Sequence, residues 1–327
     1  MQQNRLLVRL NAGVHMLTTR HAIVCGLITF LGCRGDSPPE RQKHRPMPQP
    51  ISEIDLDEKP TDVALASGFE LGTPIKDGRV TLVPIIATGA TSNVNYTTLD
   101  EGMRAGAVTV RELPEWDVAT VMVSNTSSQP LVVMSGELIF DGMQDRTLAE
   151  SRVIPPNATE QVHVNCVEIG RDAGGRNFHH SHLLVELPLR HVIRYENQQK
   201  VWDTVAAINR RLGLTPSTQT YRYAAQRQDA GEPATRRSHL MQALGTAPNQ
   251  DHIVGMVIAY DGEVVAIDRF VNHALFAKLA PELVGSYVAG DDGKPHEGNQ
   301  LSAEVVRTFL TRGNETKTDA TSETFVR

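Results

Sequence analysis

The chain has 327 residues, of which 40% are hydrophobic and 5% aromatic, and carries a net charge of −6. That length and apolar content allow one large domain or two small ones. They supply neither the basic excess nor the aromatic platforms that nucleic acid binding needs, so nucleic acid is not an expected partner.

The N-terminus reads as an address. Residues 22–32 form an uncharged apolar run preceded by Arg20 and His21, with Arg5 and Arg9 upstream. A run this short does not span a hydrocarbon core of about 30 Å, but it suits the apolar region of a secretory signal. It ends at Gly32-Cys33, which resembles the lipobox of bacterial lipoproteins, in which the cysteine is acylated. The expectation is a signal over residues 1–33, with Cys33 lipidated and the chain held on the membrane in the cell envelope. Met16 offers an alternative start. Residues 34–60 carry Pro38, Pro39, Pro46, Pro48, Pro50 and Pro60 among many charges, the composition of an extended, disordered tether. Cys25 and Cys33 belong to the signal, which leaves Cys166 as the one cysteine of the globular part, so no disulfide framework is expected.

From residue 61 to about 312 the pattern is that of one α+β domain. Residues 79–87 are β-rich but contain Pro84, which suits an edge strand. Thr98 is placed to cap a short helix, with Asp100 and Glu101 in its first turn and Gly106 beyond its end. Residues 107–113, 117–125 and 131–134 read as strands, and 135–142 is bracketed by glycines. Residues 147–154 and 161–167 read as a strand pair joined by a tight turn. The first half is therefore a β-rich sheet, sandwich-like or barrel-like. The second half adds helices and a hairpin. Residues 197–212 space Val201, Val205, Ile208 and Leu212 at helical intervals before Gly213. Asp261-Gly262 joins two β-rich runs, 253–260 and 264–270. Residues 272–287 form an amphipathic helix that contains Pro281. The polar tail, 313–327, reads as disordered.

Three stretches carry candidate chemistry. The first gathers Glu137, Asp141, Gln144, Asp145 and Arg146 in a glycine-punctuated segment. Glu137 or Asp141 is a candidate general acid or base, and the plainer reading is an ion pair between Glu137 and Arg146. The second contains Cys166, Glu168 and Arg171. Cys166 is a candidate nucleophile if a histidine lowers its pKa, or else an inert buried thiol. The third is His179, His180 and His182, which could bind zinc with Glu137 or Glu168 as a further ligand, or form a solvent-facing polar loop after Gly174-Gly175. No cofactor motif is identified: Gly170–Gly175 is followed by no phosphate-loop lysine, and no nucleophile-elbow motif occurs.

Several phrases in order resemble one family: Thr98-Leu-Asp-Glu; Ser135-Gly-Glu-Leu with Gly142-Met-Gln-Asp-Arg146; Ile154-Pro-Pro-Asn; Val164-Asn-Cys-Val-Glu168 with Gly170-Arg171; and Gln199-Lys-Val-Trp-Asp203. Over about residues 70–290 they resemble the ARPP-1 domain. The resemblance implies association with proteins that process ADP-ribose and phosphate groups, and it assigns no catalytic residues. Two readings follow. One is a membrane-anchored envelope domain that binds a ligand or protein partner through a polar cleft near Glu137, Arg146, Glu168 and Arg171, with Gln144 and Asp145 beside them. The other is a hydrolase acting on a phosphorylated, ADP-ribose-like or glycosidic ligand. Convergence of Glu137, Glu168, Arg171 and a histidine in one pocket favours the second.

Overall fold

The computed structural model describes residues 68–115, 117–171, 173–291, 301 and 306, and the backbone of 322–326. All belong to the unit Lys59–Arg327. The expected signal and tether lie outside the described residues.

The described chain begins with β1 (Phe69–Leu71), β2 (Ile75–Asp77) and β3 (Val80–Ala87). Every residue of β3 is buried, and it is not the edge strand that Pro84 suggested. β1 and β2 pair end to end along one side of it, and a later strand, residues 253–260, pairs along the other. The missing N–H of Pro84 is tolerated because it faces the break between β1 and β2. There Gly72 N donates to Pro84 O at 2.8 Å, and no ladder bond requires a proline donor. A Cβ on Gly72 would lie 3.1 Å from that of Pro84, so the close passage suits glycine.

β4 (Thr97–Thr98) leads into α1 (Leu99–Arg104), which is nucleated by a capping box: Thr98 Oγ1 accepts from the Glu101 N–H and the Glu101 carboxylate accepts from the Thr98 N–H. The strands that follow are β5 (Val108–Glu112), β6 (Thr120–Asn125), β7 (Leu131–Val133), β8 (Glu137–Asp141), β9 (Arg146–Leu148), β10 (Arg152–Ile154), β11 (Ala158–Cys166) and β12 (Phe178–Leu184). Six of them form a sheet in the order β12-β8-β9-β11-β6-β5. It curls into a half-barrel whose outer strands meet at one end, where Arg111 bridges to Asn177 and Glu112 N donates to Arg176 O at 2.9 Å. Val110, Val121, Ile139, Leu148, Val164 and Phe178 fill its interior, with Leu99 of α1 packed among them. Burial of each such side chain contributes roughly 1.5–3 kcal/mol. The expected strand over 147–154 is split in two. β9 pairs with β11 as anticipated, whereas β10 leaves to join β7 and β4 in a separate three-stranded sheet.

The helices α2 (Leu187–Tyr195), α3 (Gln198–Arg211) and α4 (Arg222–Gln228) share a core with Leu138, Val167 and Val185 on the outer face of the half-barrel. α5 (Gly231–Gly245) precedes the expected hairpin β13 (Ile253–Tyr260) and β14 (Glu263–Phe270), whose turn residues Asp261 and Gly262 both have positive φ. α6 (His273–Val288) then packs with α5 onto the β3-β13-β14 sheet, with Pro281 inside the helix. Part of the expected disordered tail is ordered: β15 (Ser322–Val326) pairs with β14, adding a strand to its free edge. Residues 313–321 lie outside the described residues. A buried guanidinium ties the layers together, as Arg190 of α2 donates twice to Asp268 of β14 at 3.0 Å. A Cβ on Gly136 would lie 2.9 Å from that arginine's Cγ, and Gly136 also has φ +97°, so glycine is required at the entrance to β8.

Candidate functional site

β8 carries charge at both ends, and the two ends have opposite character. At its C-terminal end Asp141 has φ +74°, and the chain turns through Gly142, where a Cβ would fall 2.4 Å from the Phe178 ring. This turn presents Asp141 and buried Asp145 to two arginines. Arg222 of α4 donates to both oxygens of Asp145, at 2.6 and 3.0 Å, and to Asp141 Oδ1 at 2.9 Å. Its guanidinium carbon lies 4.4 Å from the centre of the Phe140 ring. Arg171 donates to Glu168 Oε2 at 2.7 and 2.9 Å, to Asp145 Oδ1 at 3.0 Å and to the Gly142 carbonyl at 3.0 Å. Thr220 Oγ1 donates to Asp145 Oδ2 at 2.8 Å, and His179 Nδ1 lies 2.7 Å from Asp141 Oδ2. Burial pushes the Asp141 carboxyl up, but hydrogen bonds from Arg222 and His179 outweigh it and hold it below the ordinary value. Glu168 behaves likewise, with Arg171 as the dominant partner against burial. Each carboxylate here has a cationic partner.

The N-terminal end of β8 carries the opposite case. Glu137 is fully buried; its Oε2 accepts from the Met134 N–H at 2.7 Å and its Oε1 has no hydrogen-bond partner. It does not pair with Arg146, as the simplest reading of the sequence had it. Arg146 turns instead to Glu112, at 3.4 Å, and to the Val118 carbonyl. Opposite Glu137 Oε1, 3.8 Å away, is His180 Nε2, also buried and also without a hydrogen bond. Glu282 Oε2, from α6, is the third such atom. One potential ligand atom from each of Glu137, His180 and Glu282 lies within 4.8 Å of the other two. On the outer side of the His180 ring, Asp100 Oδ1 lies 3.7 Å from His180 Nδ1 and contacts His182 Nδ1. Asp100 is also paired with Arg104, one turn along α1.

The backbone makes this gathering possible. His180 lies opposite Ile139 and Leu184 opposite Glu137, so the β12–β8 register shifts between them, and His182 within that bulge has φ +60°. Bulges re-aim side chains beside sites of this kind. Here the bulge leaves the His180 side chain 1% exposed and that of His182 57% exposed, forming an inner wall and an outer rim. The histidine run is thus a strand and not the polar loop that Gly174-Gly175 suggested. His179 points away, to Asp141.

Electrostatics follow the burial. Desolvation pushes the Glu137 carboxyl well above its ordinary range, and repulsion from Glu282 adds to it. Desolvation and Asp100 push Glu282 up to about 8. Burial lowers the pKa of His180, which favours the neutral ring. Asp100, beside His180 and His182, is held down to about 2.

The comparison with known families turns on the extent of the match, which runs over residues 68–325 and takes in both ends of β8. The chain belongs to the ARPP-1 family. The family is described as the ARG and Rhodanese-Phosphatase-superfamily-associated Protein domain. No curated protein and no solved structure matches the chain. Within this ARPP-1 domain the sequence-derived candidates divide among three places. Glu137, His180 and His182 come together. Asp141, Asp145, Glu168, Arg171 and His179 form the paired network. Arg146, Gln144 and Cys166 lie apart, with the Cys166 thiol 3.1 Å from Gln144 Oε1 and its pKa pushed up by burial, as an inert thiol requires. The cleft drawn through Glu137, Arg146, Glu168 and Arg171 is therefore not one cleft, and neither Glu168 nor Arg171 reaches His180 or His182. Asp100, Glu282 and Arg222 are the additions that sequence reasoning missed. Asp100 also suits the first turn of α1 as a helix-end charge, and Glu282 lies beside Pro281 on a helix whose pattern is dominated by its apolar face. Among the described residues no helix is long and apolar enough to cross a membrane.

Proposed function

We propose that this ARPP-1 domain binds a polar ligand in the pocket walled by Asp100, Glu137, His180, His182 and Glu282, and that the chain displays the pocket in the cell envelope from a lipid tether at Cys33. One observation carries the pocket: three buried polar atoms from β8, β12 and α6 converge without hydrogen bonds. An unsatisfied buried polar group costs about 1–3 kcal/mol, so three aimed at one point are accounted for by a partner that fills the gap. The tether rests on the apolar run and the proline-rich spacer that follows it.

A thermal-shift screen of the full chain against nucleotides, sugars and phosphorylated compounds, run in chelator, tests the reading. A ligand at a hundred times its Kd stabilises the fold by about 2.7 kcal/mol. The expected result is a stabilising compound whose effect disappears in Glu137→Gln. A shift that persists in that variant contradicts the assignment of the pocket. For the tether, metabolic labelling with a fatty acid should mark the chain and fail to mark Cys33→Ser.

A second reading has its own support. Two carboxylates and a neutral imidazole in one pocket are an acid–base set, which favours hydrolysis of a phosphorylated, ADP-ribose-like or glycosidic ligand over passive binding. Turnover of the compound found in the screen, abolished in Glu137→Gln while its binding is merely weakened, would establish it.

A further inference from the structure

We propose that a divalent first-row transition metal, zinc or manganese, occupies the space between His180 Nε2, Glu137 Oε1 and the Glu282 carboxylate, with Asp100 orienting the histidine from behind. The inference rests on the reading of this pocket as the working site and names what fills it.

Charge is the first argument. Two carboxylates share a pocket in which, among the described residues, neither makes a salt bridge to lysine or arginine. The nearby guanidinium, Arg104, is taken by Asp100. Neither carboxyl can ionise cheaply in this interior without a counter-charge, and a buried charge is ordinarily paired or bound to a metal. A divalent cation cancels both charges at once and requires no rearrangement of the fold.

Donor chemistry is the second. One imidazole nitrogen and two carboxylate oxygens suit zinc or manganese better than they suit calcium, which prefers six to eight oxygens. One donor atom from each of the three residues lies within 4.8 Å of the other two, so one ion can sit between them with small side-chain adjustments.

The outer shell is the third. A histidine that ligates through Nε2 carries its proton on Nδ1, and it usually donates that proton to a carboxylate that fixes the ring. Asp100 Oδ1 is that carboxylate, 3.7 Å from Nδ1, and it also contacts His182 Nδ1 on the outer rim. Adopting this tautomer gives up the contact of the His182 N–H with Nδ1, 3.2 Å long. His182, largely exposed and touching Asp100, marks the side from which an ion would enter.

The test uses the full chain, purified with a tag free of histidine, stripped with chelator, and titrated calorimetrically with Zn(II), Mn(II) and Ca(II). The expected result is one equivalent of Zn(II) or Mn(II) and no Ca(II). Glu137→Gln and Glu282→Gln keep shape and hydrogen-bonding capacity, so they leave the fold intact by circular dichroism, and each should weaken metal binding by at least about tenfold. His179→Ala, outside the cluster, should leave it unchanged. Absence of stoichiometric Zn(II) and Mn(II), or full binding retained in the Glu137→Gln, Glu282→Gln double variant, overturns the proposal. If the metal is absent while the chelator-insensitive thermal shift persists, the pocket reading survives and the metal falls. If metal binds and no organic compound does, the ion itself is the ligand.

Discussion

The two ends of β8 present the same residue types in opposite states. At Asp141 every carboxylate meets a guanidinium or a hydroxyl, and the network spans β8, the turn to β9, the segment after β11 and α4. At Glu137 two carboxyls and an imidazole meet without a cationic partner. A folded protein gains little by keeping such a set unsatisfied, whereas a satisfied set is expected of any well-packed interior. We therefore read the richer cluster of charges as structural and assign the proposed function to the poorer one.

The comparison can be broken most forcefully at Asp145. Asp145→Ala leaves Arg222 short of its buried partner and takes acceptors from Arg171 and Thr220. Unpairing of this kind costs about 3–5 kcal/mol, to be read from denaturant midpoints. Glu137→Gln, as far inside the protein, should do the reverse in chelator: no loss of stability, because it replaces a carboxyl that burial already pushes toward its neutral form and that has no cationic partner. If both variants destabilise equally, the two ends are alike and the distinction fails.

A smaller effect lies in the acid limb. Glu168 titrates below its ordinary 4.5 in the fold, because its hydrogen bonds, led by Arg171, outweigh burial. A carboxyl depressed in this way stabilises the fold fully above its unfolded value and loses that contribution as pH falls through the folded one. Denaturant midpoints should therefore drop below pH 4.5, and the drop should be shallower in Arg171→Ala. An identical acid limb in that variant contradicts the assigned pairing. The smallest effect belongs to His179→Ala: its side chain is 77% exposed, so stability should stay within about 0.5 kcal/mol of the parent.

Much of this architecture is legible in the residues. Asp261-Gly262 specifies the β13–β14 turn because both positions need positive φ, and Asn197 with the apolar spacing to Ile208 specifies α3. Thr98 and Glu101 announce α1. α2 carried a usable signal, Pro188 in its first turn, that was not read. α5 had little, since its polar residues spread around the helix and few of its side chains are buried. The histidine strand is hard to read for a specific reason: its inward-facing residue, His180, is polar and the bulge at His182 breaks the register, so the alternation that marks a half-buried strand is missing. The site itself was half legible. Glu137, His180 and His182 are visible as unusual residues, but Asp100 and Glu282 join them only through the closing of α1 and α6 over β12, which one-dimensional spacing does not encode. Arg222 escaped notice because nothing around it in sequence is acidic.

The most direct measurement is a crystal structure of the full chain isolated from cells without added ligand, with diffraction recorded at the zinc and manganese absorption edges. The account predicts non-protein density bonded to His180 Nε2, Glu137 and Glu282, with Asp100 drawn onto His180 Nδ1. A pocket in which Glu137 and Glu282 are hydrogen-bonded to one another as protonated acids, with nothing between them, would contradict it.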